Sequence, residues 1–194
     1  MLFRSKEDDF ITNAFVANSH ETLLCFTSLG KVFWLKVYQL PKVSTTSKGK
    51  PIVNLLPLGD GEKIQSLLPV NEFNNDKFIF FATQNGTVKK TSLEQYSRPR
   101  ANGIIAIDIK DNDELISTEI TDGNNEIMLF TQSGKSIKFD ENKVRSVGRS
   151  ASGVKGINLA ENDKVISMII PKDDANVLIA TENGFGKQTP VNLF

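Results

Sequence analysis

The stretch FATQNGTVKK, residues 81–90, has the form of a β-hairpin, with an apolar strand, an Asn-Gly turn and a basic return strand. The chain contains three further copies, each with a Thr three residues before a Gly and an apolar run before the Thr. They are CFTSLGKVFW (25–34), LFTQSGKSIK (129–138) and IATENGFGKQ (179–188). Asn85-Gly86 and Asn183-Gly184 predict type I′ turns, because both residues adopt positive φ at low cost.

Two other elements recur with the hairpins at the same period. The hairpin glycines are separated by 56, 48 and 50 residues. A glycine-containing element lies at 48–58, 100–109 and 150–159, and an acidic element such as DNDELISTEI opens the next unit. A unit of about 50 residues is typical of propeller blades. Strand-forming residues dominate and no sustained helical period occurs, so the sequence predicts an all-β, propeller-like array of four-stranded blades.

The repeats extend over 11–58, 61–109, 113–159 and 163–194, which gives three complete units and a partial fourth. We expect a short N-terminal tail over 1–8 and a single β domain over 9–194. The fourth unit has no glycine element, and a closed propeller normally needs a complete last blade. The sequence therefore predicts an open array that is a fragment of a larger domain.

Composition places the chain in a broad class. Its 194 residues contain one cysteine, no apolar run long enough for a membrane span and no signal-peptide pattern at the start. A lone cysteine cannot form an internal disulfide, so we expect a cytoplasmic protein. The formal net charge is zero, with 23 basic and 23 acidic residues, and a nucleic-acid-binding protein more often has a basic surplus.

The distribution of the charges along the chain, unlike the net charge, favours nucleic-acid binding. The three segments from a hairpin glycine to the next glycine element (30–51, 86–103 and 134–157) hold 15 of the 23 basic residues and 3 of the 23 acidic residues. Equivalent segments of a radial repeat lie at equivalent positions, so these residues should form a basic rim. Such a rim binds duplex DNA through phosphates without reading bases, and its curvature would favour bending of the duplex.

We therefore expect distributed phosphate contacts and no base-reading element. The predicted contact residues are Lys31, Lys36, Lys48, Lys50, Lys89, Lys90, Arg98, Arg100, Lys135, Lys138, Arg145, Arg149 and Lys155. The alternative for these lysines is ordinary solvation of exposed strands.

Several blocks of the sequence resemble a known family. VANSHETLLCFTSLGKVFWLKVYQLP, KGKPIVNLLPL, ATQNGTVKKTSL and GVKGINLAENDKVISMI are similar to the C-terminal domain of bacterial DNA gyrase A, part of a type IIA topoisomerase. The similarity extends from about Asp9 to Phe194. The related domain of topoisomerase IV is the alternative, although these blocks look more like gyrase.

The resemblance implies a β-pinwheel, whose blades exchange strands with their neighbours and whose basic rim wraps DNA. In the family this wrapping lets gyrase introduce negative supercoils with ATP, in cooperation with the rest of gyrase A and with gyrase B. The catalytic tyrosine, the metal site and the ATPase belong to other parts of that enzyme, so the resemblance implies no catalytic residue, metal or cofactor in this chain. The family's Q-R-R-G-G-K-G box, which full wrapping needs, does not occur in the sequence.

An enzyme is the first alternative function, and the residues give it little support. His20 is the only histidine and has no nucleophile motif beside it, while Cys25 lies in an apolar strand. One His and one Cys are too few for a typical zinc site. Acid pairs such as Asp111 and Asp113 recur at the unit boundaries, where turn capping is the expected role and calcium binding the alternative.

A propeller that binds a partner protein is the second alternative. Phe33 and Trp34 are its candidate anchors, since aromatic residues dominate such interfaces. Trp34 occupies the hairpin position held by Lys90, Lys138 and Gln188 in the other copies, so a DNA-stacking role for Trp34 is also a hypothesis. The recurring Thr27, Thr83, Thr131 and Thr181 are expected to serve the fold, by satisfying a local backbone group at the turn.

Overall fold

The computed structural model describes residues 13–43 and 49–194. These residues form thirteen β-strands and short 3-10 turns, with no α-helix among them, which confirms the all-β prediction. The strands are β1 Thr22–Thr27, β2 Lys31–Lys36, β3 Ile64–Val70, β4 Phe78–Thr83, β5 Thr87–Ser92, β6 Ile104–Ile105, β7 Leu115–Thr121, β8 Glu126–Thr131, β9 Ser136–Asp140, β10 Val154–Lys155, β11 Val165–Ile169, β12 Asn176–Ala180 and β13 Gly186–Pro190. The 3-10 turns are Val37–Gln39, Ile52–Asn54, Leu93–Tyr96, Glu141–Lys143 and Val191–Leu193.

Each complete sheet is built from two consecutive repeats. The first has the order β3-β1-β2-β6, so the hairpin of one repeat receives both the opening strand and the glycine-element strand of the next. The second sheet, β10-β5-β4-β7, follows the same scheme. The described residues give the third sheet three strands (β11-β8-β9) and the fourth two (β12-β13). The repeat in the sequence is therefore offset from the structural blade.

The hairpin turns differ from the prediction. Asn85 and Asn183 are not among the described residues with positive φ, whereas Gly86 and Gly184 both have a φ of 80°. The loops are thus three-residue turns in which only the glycine is left-handed, rather than type I′ turns, which need positive φ at two residues. Gly86 N–H donates to the Thr83 carbonyl at 3.0 Å and closes the turn.

The recurring threonines serve the turns, as expected. The hydroxyl oxygens of Thr27, Thr83 and Thr131 each accept from the backbone N–H four residues later, at 3.1–3.2 Å. The Thr181 hydroxyl instead donates to the Phe185 carbonyl at 3.2 Å. In the first three copies the side chain thus supplies an acceptor for a backbone N–H of the turn.

The hydrophobic core lies between the blades. On β4, Ile79 and Phe81 pack with the first blade, while Phe80 and Ala82 pack with the third-sheet strand β8. Successive side chains of a strand point to opposite faces, so a strand between two blades must be apolar on both. This explains why FIFFAT is a continuous apolar run rather than an alternating one. Phe26 and Phe81 meet edge to face across the first interface, with centroids 5.5 Å apart.

The glycine element at 49–58 differs from its two counterparts. It contributes Ile52, Leu55 and Leu56 to a cluster on the outer face of the first blade, together with Leu23 and Phe33. Its counterparts instead supply the fourth strands β6 and β10. Residues 49–58 join no sheet in the structure and cover a sheet face instead.

Candidate nucleic-acid interface

Most of the predicted contact residues reach solvent. Lys36, Lys50, Arg98, Arg100, Lys135, Arg145 and Lys155 are exposed, and Lys31, Lys138 and Arg149 are half-buried. Lys48 lies outside the described residues. The Lys138 ammonium is 3.5 Å from the Glu126 carboxylate, and the Lys36 ammonium donates to the Thr22 hydroxyl at 2.7 Å. These two cations therefore each have a protein partner with which a phosphate would compete.

Lys89 and Lys90 require a correction, since both side chains are buried. The strand β5 lies between two blades, so its side chains face protein on both sides. Lys89 Nζ donates to the carbonyls of Ala106, at 2.7 Å, and Arg149, and lies 5.4 Å from the centre of the Phe81 ring. Burial, chiefly by loss of solvation, lowers the pKa of Lys89 to about 7. Lys89 has no exposed surface with which to contact a phosphate.

Lys90 faces the next blade. Its ammonium donates to the Glu141 carbonyl at 3.2 Å and lies 3.6 Å from the Glu141 carboxylate, which is fully buried. That carboxylate also accepts from the Thr121 hydroxyl and the Asn125 N–H, both at 2.8 Å. A buried ion pair with satisfied partners is a structural feature, so Lys90 joins two blades instead of binding DNA.

The strand exchange brings three basic residues from three repeats to one cleft. This cleft, which we call the junction cleft, has a volume of about 640 Å³ and is lined by Lys31, Arg100 and Arg149. Lys31 comes from the first hairpin, Arg100 from the second repeat and Arg149 from the third. The remaining lining residues are Gln95, Asn102, Gly103, Ile104, Ile105, Gly148 and Ser150, so no acidic residue lines it.

Specific hydrogen bonds fix the walls of the junction cleft. Lys31 pairs with Ile105 of the exchanged strand β6. Arg149 Nη1 donates to the Ile105 carbonyl at 3.4 Å, and the Arg149 N–H donates to Gln95 Oε1 at 3.2 Å. The segment bearing Arg149 is anchored to the second blade where Val147 N–H donates to the Lys90 carbonyl at 2.9 Å. The two walls are therefore connected through Arg149.

The second exchange junction has a different character. There Lys155 of the exchanged strand β10 pairs with Thr87 of β5, whereas at the first junction the lysine, Lys31, lies on the receiving strand β2. The cleft beside it, about 230 Å³, is lined by Lys110 and Lys155 but also by Asp108 and Asp113. Its mixed charge makes it a weaker candidate for binding phosphate than the junction cleft.

The sequence did not identify the amide side chains of the junction cleft. Gln95 and Asn102 line it, and both can donate hydrogen bonds to an anion. Neither belongs to a basic run, and their place in the cleft depends on which strands are exchanged. Their sequence position alone therefore carried no signal.

Trp34 is held within the protein. Its indole N–H donates to the Tyr96 carbonyl at 2.8 Å, and its ring packs against the core between the first two blades. A ring fixed in this way is not a free platform for a DNA base, which argues against the stacking hypothesis. Phe33 is 1% exposed, so it is not an available anchor for a partner protein either.

Other candidate residues have structural surroundings. Burial raises the pKa of the Cys25 thiol to about 12, which leaves it protonated and unreactive. His20 is exposed, and its backbone N–H donates to Asn18 Oδ1. In the described parts of the chain no group of three or more potential metal ligands occurs. No helix within 13–43 and 49–194 is long and apolar enough to span a membrane.

The acidic residues at the unit boundaries cap hairpin turns of the preceding repeat, as expected. Asp113 Oδ1 accepts from the Asn85 N–H at 2.8 Å. Asp163 accepts from the Ser133 N–H at 3.0 Å and from the Ser133 hydroxyl at 2.6 Å. The hydroxyl bond is the main reason that the pKa of Asp163 is lowered to about 2.

Comparison with known proteins gives a consistent result. The model of a family described as DNA gyrase C-terminal domain, beta-propeller, matches residues 21–71, 77–122, 125–172 and 175–194. DNA gyrase A of Salmonella typhimurium is 52% identical over 191 residues, which cover 98% of this chain and 22% of that protein. DNA gyrase A of Escherichia coli K12 is 50% identical over 188 residues, covering 97% and 22%. The chain spans about a fifth of the length of these relatives.

Solved structures share the architecture. The crystal structure of the C-terminal domain of DNA topoisomerase IV matches with a TM-score of 0.86 and 34% identity, covering 99% of this chain and 60% of that one. A DNA gyrase A C-terminal domain matches with a TM-score of 0.75 and 24% identity, covering 91% of this chain and 56% of that one. The β-pinwheel prediction is thereby confirmed at the level of the fold.

Proposed function

Since the chain belongs to the DNA gyrase C-terminal domain family, we propose that it binds duplex DNA without regard to sequence. Binding takes place through exposed or half-buried basic side chains on the segments that follow each hairpin. After removal of the two buried lysines and of Lys48, the proposed contacts are Lys31, Lys36, Lys50, Arg98, Arg100, Lys135, Lys138, Arg145, Arg149 and Lys155. The strongest group is the one in the junction cleft.

The junction cleft is the observation that carries this proposal. Two guanidinium groups and one ammonium group from separate repeats line one cleft, and no carboxylate lines it. Guanidinium groups match the geometry of phosphate oxygens and can bind them with two parallel hydrogen bonds. Nothing in the cleft presents a long helix or ribbon to a groove, so contacts to the DNA backbone are favoured over base reading.

We further propose that the chain bends or wraps the bound duplex as the accessory part of a gyrase, within a complex of gyrase A and gyrase B. Bending a duplex costs on the order of several kcal/mol, which several separate phosphate contacts can offset. In this proposal the chain contributes neither a catalytic residue nor a metal or cofactor. ATP hydrolysis and strand passage belong to other parts of the enzyme.

Binding and its charge dependence are tested by titrating a labelled duplex with the chain at several salt concentrations. Substitution of Arg100 and Arg149 together by Ala should weaken binding to all sequences alike and reduce the salt slope by about one unit per lost contact. The matched control is the pair Lys63→Ala and Lys77→Ala, which removes the same charge from exposed residues outside the junction cleft. Equal losses from the two pairs would contradict a localised cleft and leave only general attraction by charge.

Wrapping is tested separately by topology. The chain is mixed with nicked circular plasmid, the nick is ligated, and the linking-number distribution is read after the protein is removed. A shift that grows with protein concentration supports chiral wrapping. An unchanged distribution together with salt-sensitive binding limits the chain to bending or plain binding. No binding at all would overturn the proposal in favour of a partner-protein module.

A further inference from the structure

Lys89 is a buried cation at the point where the exchanged segments meet. Its side chain has no exposed surface, yet its Nζ donates to the carbonyl oxygens of Ala106 and Arg149. Ala106 directly follows the exchanged strand β6, which forms one wall of the junction cleft. Arg149 belongs to the opposite wall. One ammonium group therefore ties both walls together from beneath the surface.

The position of the Arg149 side chain depends on this tie. The Arg149 guanidinium donates to the Ile105 carbonyl, one residue before the carbonyl that Lys89 binds. The Arg149 carbonyl is itself the second acceptor of the Lys89 ammonium. If Lys89 releases these carbonyls, Arg149 keeps its N–H bond to Gln95 but its carbonyl loses the tie to the opposite wall, which becomes freer to move.

The groups that contact the Lys89 ammonium stabilise its positive charge, although none of them is a carboxylate. The face of the Phe81 ring and two carbonyl oxygens surround the ammonium, and all three favour a cation. The charged groups that act on it are Arg149 and Asp108, and Tyr96 is the titratable group that shares its acceptor. Asp108 is held by the Ser152 hydroxyl at 2.8 Å, and the Tyr96 hydroxyl donates to the same Ala106 carbonyl at 3.3 Å.

We propose that Lys89 is a positioning residue for DNA binding, whose protonated amine holds the junction cleft in its binding shape through charge-assisted hydrogen bonds that weaken when the proton is lost. This proposal rests on the proposed DNA-binding function and adds regulation by pH to it. DNA affinity then falls as the pH rises through neutrality, although Lys89 never touches the DNA.

The pKa of Lys89 lies in the pH range over which DNA affinity is expected to change. Burial, and secondarily the nearby Arg149 charge, lower its pKa from 10.5 to about 7, while Asp108 acts in the opposite direction. By reciprocity, DNA binding should draw a proton onto the chain near neutral pH.

The test compares Lys89→Met with wild type by titrating a labelled duplex at about pH 6 and about pH 8.5. Wild type should bind several-fold more tightly at the lower pH. Lys89→Met should bind about threefold to tenfold more weakly than wild type at the lower pH and show a smaller pH dependence. The double variant Lys90→Met with Glu141→Gln is the matched control. It removes another buried lysine of the same strand together with the carboxylate that its ammonium contacts, and it leaves the contacts of Arg149 in place. It should retain the pH dependence of wild type.

Two measurements on wild type keep the proposal testable if Lys89→Met does not fold. Calorimetric titration with DNA in buffers of different ionisation enthalpy reports proton uptake, which should be largest near neutrality. Tryptic cleavage after Arg149 should become faster, relative to cleavage after the exposed Lys77, as the pH rises from about 6 to about 8.5.

The outcomes separate the two proposals. One outcome is that wild type binds DNA without taking up a proton and without a pH dependence that is smaller in Lys89→Met. That result would overturn the positioning role of Lys89 and leave the DNA-binding proposal in place. If wild type does not bind DNA, the proposed function fails first. In that case pH-dependent cleavage after Arg149 would still show that Lys89 holds the cleft wall.

Discussion

The indole N–H of Trp34 donates to the backbone carbonyl of Tyr96, 2.8 Å away across the interface between the first two blades. The equivalent residue of the second hairpin, Lys90, makes the corresponding bond to the Glu141 carbonyl of the third repeat. In both cases the acceptor lies in the 3-10 turn that follows the next hairpin. The second strand of a hairpin thus fastens its blade to the following one by a single recurring contact.

Trp34→Phe should lower the free energy of unfolding by about 1 kcal/mol, because it removes this hydrogen bond and keeps most of the packing. DNA affinity should remain that of wild type, since the ring faces protein. Chemical denaturation and duplex titration on the same samples check both statements. A marked loss of affinity without loss of stability would restore the hypothesis that Trp34 stacks on DNA.

Lys90→Met should destabilise the chain by about 3–5 kcal/mol, because it leaves the buried Glu141 carboxylate without its cation. Adding Glu141→Gln should recover part of that loss, since the amide oxygen still accepts a hydrogen bond and carries no charge. Denaturant unfolding of the two single variants and the double variant gives the coupling energy. Additive losses would show that the two charges do not stabilise each other.

The hairpins were predictable from the sequence because their determinants are local. A threonine three residues before a glycine, following an apolar run, defines the turn in all four copies. The turn type was predicted wrongly at Asn85 because Asn-Gly suits both a two-residue turn and the three-residue turn that forms. Only the pairing of the flanking strands decides between them.

The burial of Lys89 and Lys90 depends on contacts between repeats, and charge content alone gave the wrong expectation. One signal was present, since the equivalent positions of the first hairpin hold Phe33 and Trp34. Aromatic residues at two adjacent strand positions indicate that both faces of the strand are covered. The junction cleft could not be predicted from the sequence. It depends on which neighbouring blade receives the exchanged strand, and the period of the repeat is the same in either case.

Substitution of two hairpin glycines by Ala should separate backbone strain from steric contact. Gly86 and Gly134 have nearly the same φ, 80° and 84°, so the backbone cost of a side chain is about 1 kcal/mol at each. A Cβ on Gly86 would lie 2.7 Å from Ile157 Cγ2 in the exchanged segment, whereas nothing lies within 4 Å of one on Gly134. Gly86→Ala should therefore be the more destabilising by about 1–3 kcal/mol.

Thermal unfolding of the two glycine variants under identical conditions measures that difference. Equal losses would mean that the segment bearing Ile157 moves away at no cost. That result would contradict the close packing between the second hairpin and the exchanged segment.

Asp163→Asn should reduce the sensitivity of the fold to acid. Hydrogen bonds, chiefly that from the Ser133 hydroxyl, hold the pKa of Asp163 at about 2, below its ordinary value of 3.8. A carboxylate with a lowered pKa adds stability that is complete above the unfolded value and is lost as the pH falls through the folded one. The melting temperature of wild type should therefore drop more steeply than that of Asp163→Asn between about pH 4 and about pH 2.

Asp173→Asn is the matched control, since it changes an exposed carboxylate in the loop before β12. Its melting profile should follow that of wild type throughout the acid range. Should Asp163→Asn follow it as well, the bond between the third hairpin and the opening of the fourth repeat would carry no stability of its own. The turn would then be fixed by Gly134 and Thr131 alone.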